Sequence, residues 1–226
     1  MESYTATSSE PRPNGAVAGW LLAITSLLSL VFMLHHPSVS STTTDQIVAE
    51  VSGEARLSMT VHGVLIALIF VQFYALAVLS VRLGLRRGPV IAGLTAQATG
   101  VLAMLGAALI SGFLVPDLAE HLSGASPEAL EMGRQQMAFA HHANQRLAEV
   151  GVVAMATAIA MWSAVLLATS GANRLIGAAG LLLGSALATA MLAGRITLHV
   201  HGMTLVLAIL TLWYLAVGMQ LIRRDI

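Results

Sequence analysis

The chain has 226 residues, 57% of them hydrophobic and 10% charged, with a mean hydropathy of +0.81. Eleven basic and eleven acidic residues leave no formal net charge, and cysteine is absent. This composition excludes a soluble globular domain and a basic nucleic-acid binder. It also excludes disulfides, thiolate metal sites, cysteine-held iron–sulfur clusters and c-type haem attachment.

In chain order, residues 1–16 are polar and read as a tail. An apolar run over 17–34 follows, ending at His35-His36-Pro37, where proline stops the helix and holds the preceding residue extended. With roughly 18 apolar residues and no small-residue cleavage site, this run reads as a retained span, not a signal peptide. Residues 38–57 form an outer loop with helix-start chemistry at Thr44-Asp45.

Spans over 58–82 and 89–114 come next, joined by a short connection at 83–88. A second outer loop covers 116–145 and carries a further helix start at Ser126-Pro127-Glu128, with serine as cap and proline in the first turn. The last spans are 146–169, 174–194 and 198–222, the first two of them joined at 170–173. The outer segments are expected either to extend neighbouring helices outward or to lie over the bundle as short helices.

The expected fold is therefore an all-α integral membrane protein, one transmembrane domain over 1–226 forming a six-transmembrane-helix bundle, with the lipid bilayer as its first partner. All eleven basic residues are arginine. Arg12, Arg82, Arg86, Arg87, Arg174, Arg223 and Arg224 fall on one side and Arg56, Arg134, Arg146 and Arg195 on the other, so both termini are expected to be cytoplasmic. Lysine-free basic usage without cysteine suits a bacterial inner membrane, with the opposite face periplasmic.

Residues 61–78 align without gaps to 200–217, sharing a Val-His-Gly start and a Leu-Ala-Val end. Laid on the fourth span, the same frame sets His142 opposite His62 and His201. The pattern suggests three repeated helical hairpins with these three histidines at similar depth.

All eight histidines, His35, His36, His62, His121, His141, His142, His199 and His201, fall at the outer face on this threading. Imidazole is the commonest protein ligand for transition metals and haem. His62, His142 and His201 are the expected inner, cofactor-binding set, and the other five are further metal-ligand candidates. On a regular helix His199 and His201 point about 200° apart, and His141 and His142 about 100° apart, so neither pair binds one ion unless the helix starts between its members.

Asp117, Glu149 and Arg195 are candidate supporting residues, Asp117 standing four residues before His121 and Glu149 seven after His142. An ion pair with Arg146 is the structural alternative for Glu149, and snorkelling to headgroups for Arg195. Met33, Met59, Met137 and Met203 lie near the histidines, and thioether with imidazole suits copper.

The spaced histidine boxes of membrane di-metal hydroxylases and desaturases, His-x-x-x-His and His-x-x-His-His, do not occur. Four functions stay open at this point. The leading one is a metalloprotein using copper or non-haem iron for redox chemistry on a lipophilic substrate or with an electron-transfer partner. The second is a b-type cytochrome with bis-histidine haem, for which Gly100, Gly106, Gly180 and Gly184 would make room. Metal handling and a structural subunit packing through Gly180-x-x-x-Gly184 are the others. No catalytic residue is assigned.

Overall fold

The computed structural model describes residues 13–37, 41 and 43–226. Arg12, most of the tail and residues 38–40 and 42 of the first outer loop lie outside the described residues. Among those described, the chain is helical with no strand, and six helices are long and apolar enough to cross a membrane.

The elements are α1 (Gly15–Leu34), α2 (Thr44–Gly53), α3 (Ala55–Leu83), α4 (Gly88–Leu109), a π-helical turn (Ile110–Leu114), α5 (Val115–Leu122), α6 (Pro127–Leu167), α7 (Gly171–Leu192) and α8 (Val200–Arg223). The six apolar runs read from the sequence coincide with α1, α3, α4, α6, α7 and α8. Asn14 caps α1 by accepting from the Ala16 and Val17 amides at 3.1 and 3.4 Å, and Ser126 caps α6 through the Ala129 amide at 3.4 Å. Gly84, with φ +95°, makes the turn out of α3 that a side chain would strain.

Most of the two segments read as outer loops is helical. At 41 residues α6 is roughly 60 Å long, twice the ~30 Å of hydrocarbon a span must cross. Its first half therefore stands beyond the apolar run that begins at 146. The helix read as ending at 114 continues to Leu122 by passing through the π turn. Short α2 puts Val48 inward and leaves Asp45 and Gln46 exposed.

The spans form a circuit in which α1 packs on α3 and α8, and α6 on α4 and α7. α3 and α4 meet over a smaller face, and α7 and α8 touch only slightly. Glycine sets the closest approaches. A Cβ on Gly100 would come within 2.8 Å of Met155 and 3.0 Å of the Gly151 carbonyl, and one on Gly184 within 2.6 Å of the Ala156 carbonyl. A Cβ on Gly218 of α8 would come within 3.0 Å of the Gly19 carbonyl of α1. Without lipid–water contrast to drive association, such contacts are what hold apolar helices together.

This packing corrects one expectation. The space beside Gly100, Gly106, Gly180 and Gly184 is filled by Met155, Leu147, Trp213 with Ser163, and Ala156. These glycines seat neighbouring helices and leave no room for a macrocycle.

At the arginine-rich end, Arg82 donates to the Pro13 carbonyl at 2.8 Å and Asn173 to the Asp225 carbonyl at 2.9 Å, so the first and last described segments lie there together. Above that end Trp162 and Trp213 stack with ring centroids 6.1 Å apart and planes 11° from parallel. The histidines occupy the opposite end.

Candidate functional site

Inside the circuit, open at the histidine end, lies a chamber of about 840 Å³. Its walls are mainly apolar: Leu65, Ile66 and Ile69 from α3, Met104 and Leu105 from α4, and Leu207 and Leu210 from α8. Helix α2 contributes Ile47 and Val51 to the rim. Ser29, Gln72, Thr211 and Tyr214 are the polar side chains deeper in.

His36 and His62 face each other across the mouth, with Nε2 atoms 3.1 Å apart and ring planes at 73°. His62 is 4% exposed. Each ring is oriented from behind by a backbone carbonyl: His36 Nδ1 lies 2.7 Å from Pro37 O and His62 Nδ1 2.8 Å from Ser58 O. A carbonyl only accepts, so both Nδ1 atoms carry the proton and both neutral rings present an unprotonated Nε2. Two lone pairs pointed at one another at 3.1 Å are repulsive unless a cation or a shared proton lies between them. Burial lowers the His36 pKa, opposed by the bond to Pro37, so the neutral ring is favoured.

The distance is that of an ordinary shared proton, and it also limits the geometry of any ion that could take the proton's place. With metal–nitrogen bonds of ~2.0–2.1 Å, two nitrogens on one ion are ~2.9 Å apart at a right angle, ~3.3 Å at a tetrahedral angle and ~4 Å when trans. At 3.1 Å the pair suits adjacent positions on one ion. The trans positions of a bis-histidine haem would need the rings further apart.

The backbone behind His62 explains its placement. Pro116 has no N–H for the carbonyl four residues back, and the helix answers by widening: Val115 N–H bonds to Ile110 O, five residues away. In that register the partner of Ser111 O would be Pro116, which has no hydrogen to give. Ser58 Oγ donates to this carbonyl instead, at 3.4 Å. Within the π turn Gly112 lies directly under the His62 ring, where any Cβ would overlap it. Ser58, Gly112 and Pro116 thus form the seat of His62, and none is recognisable from spacing, because the partners are about fifty residues apart.

The other candidates separate. His141, His199 and His201 line the chamber mouth on the side of α6 and α8, while His35, His121 and His142 do not line it. His35 turns back to the Val31 carbonyl at 2.9 Å. His121 bonds the Asp117 carbonyl at 2.7 Å in a surface groove between α5 and α6. His142 is exposed, edge-on to His141 with ring centroids 5.9 Å apart.

The repeat does not place its histidines alike. His62 is two turns into α3 and buried, whereas α8 begins only at Val200, so His201 stands exposed in its first turn. Gly202 there accommodates the Thr197 carbonyl, whereas a Cβ on Gly63 would meet only Phe113, at 3.9 Å.

Glu149 pairs with Arg146 at 2.6 Å, the structural alternative read from the sequence, and Arg195 is exposed away from the chamber. Met33, Met137 and Met203 line the chamber and Met59 does not. Among the described residues no three His, Asp or Glu side chains are grouped to hold one ion. An ion at His36 and His62 would have its remaining positions open to the chamber. Comparison with known protein families, characterised proteins and solved structures gave no match.

Proposed function

We propose that this chain is a membrane metalloprotein that binds copper or non-haem iron between His36 and His62 and uses it for redox chemistry on a lipophilic molecule held in the chamber. The observation that carries the reading is the facing pair of Nε2 atoms, each ring fixed through Nδ1 to a carbonyl, the orientation metal-ligating histidines adopt. Two protein ligands leave open positions, as a catalytic metal requires. A copper or iron ion held by His36 and His62 would supply one-electron redox chemistry beside whatever the chamber holds. His141, His199 and His201 are candidates for guiding the ion across the mouth.

The arginine distribution supports cytoplasmic termini and a site on the periplasmic side of a bacterial inner membrane. The gapless match of 61–78 to 200–217 supports a common origin of α3 and α8, the third copy around His142 being the weakest.

The test is elemental analysis and a visible spectrum of protein purified in detergent and loaded with Cu(II) or Fe(II). One ion per chain, lost in His36→Ala and in His62→Ala and kept in His142→Ala, is the expected result. A Soret band would replace the reading with a cytochrome, and no bound ion after loading would favour a structural subunit.

A further inference from the structure

We infer that the chamber is a binding site for one elongated amphiphile with an uncharged body, its polar head at the His36 and His62 mouth and its apolar body directed along α3 towards Tyr214. The inference rests on the proposed function only in what the head meets. The cavity argues the rest.

Charge comes first. Among the described lining residues, Glu54 and Arg134 carry formal charges. Arg134 stands in the projecting half of α6 and Glu54 at the junction of α2 and α3, both at the mouth. Arg134 is already engaged by Glu131 through two bonds of 2.7 and 2.9 Å. Below them no lining side chain could neutralise an ionic group, which would pay the full cost of leaving water. The body of the ligand is therefore uncharged.

Length follows from the helix. From His62 to Gln72 is ten residues, or ~15 Å of rise, about half of the ~30 Å hydrocarbon thickness. A chamber spanning one leaflet's depth matches a molecule that already lies along the membrane normal. The 840 Å³ volume falls in the ~300–1,000 Å³ range of small-molecule sites. Walls this apolar hold ordered water poorly, since a buried water needs two to four polar partners.

Gln72 sets a further condition. Buried on α3, it donates to Ser29 Oγ at 3.3 Å and lines the chamber, as does Thr211, which donates to the Ser26 carbonyl at 3.4 Å. A ligand with a carbonyl or hydroxyl at mid-depth meets partners there, whereas a plain alkyl chain leaves them unused.

The experiment uses long-chain alcohols brominated either near the chain end or beside the hydroxyl, titrated into metal-stripped protein in bromine-free nanodiscs. Trp20, 57% exposed on α1, is changed to Phe so that emission comes from Trp162 and Trp213 below the chamber floor. Saturable quenching at one probe per chain, stronger for the chain-end bromine, is expected. Ala108→Phe and Leu207→Phe, which fill the chamber from opposite walls, should each weaken it about tenfold or more. Leu102→Phe, on the exposed face of α4, should not. Unsaturable quenching that is indifferent to both filling variants would mean boundary lipid only and overturn the inference. Because no metal is present in the titration, its failure and the failure of the metal reading are separate results.

Discussion

Gly112 is the residue on which the site turns, because its missing side chain is the space the His62 ring occupies. Gly112→Ala should displace that ring and lower metal affinity by roughly 10–100-fold, the scale of losing a ligand's outer support. Gly63→Ala is the internal control, since its Cβ would meet only Phe113 at an ordinary 3.9 Å. Isothermal titration of both variants, with circular dichroism to confirm retained helix, checks this; equal affinities would refute it. The sequence marks His36 and His62 as candidates by residue type. It also offered His62, His142 and His201 as a set, and the structure brings His62 to His36 instead. Which imidazoles meet depends on where each helix starts: α8 begins one residue before His201, whereas α3 has already run two turns when it reaches His62.

The π turn is the element that converts a proline into a site. Pro116 leaves Ser111 O free for Ser58, whose own carbonyl orients His62. Pro116→Ala restores the missing N–H and lets the ladder close as an ordinary α-helix, which should rotate Gly112 from under the ring. The expected outcome is weaker metal binding with unchanged or raised thermal stability, a combination that simple unfolding does not produce. Helix interfaces respond differently. Gly184→Leu would drive a side chain into the Ala156 carbonyl of α6, and thermal melting in detergent should show a loss of at least about 1–3 kcal/mol. Apolar length made the spans legible from sequence, and Ser126-Pro127 correctly marked the start of α6. The apolar run sets the end of the span at 114, whereas the chain stays helical to Leu122 by widening one turn ahead of Pro116.

At the scale of the whole molecule, a circuit of spans leaves a chamber at one end and closes the other with stacked indoles. Hydropathy shows how many helices cross but not their order around a ring, since every lipid-facing or interior-facing surface is apolar alike. The glycines read as room for a cofactor turned out to seat helices for the same reason. Orientation is testable directly because the chain has no cysteine. A single cysteine at Ser123, between α5 and α6, should react with an impermeant maleimide applied outside intact cells, and one at Ser170 only after permeabilisation; the reverse pattern would invert the topology.

The central claim is that His36 and His62 together bind one metal ion, and electron paramagnetic resonance of the Cu(II)-loaded protein tests it most directly. The account predicts one copper per chain with hyperfine coupling from two imidazole nitrogens, abolished in the His36→Ala, His62→Ala double variant. A copper signal that survives that double variant unchanged would contradict it.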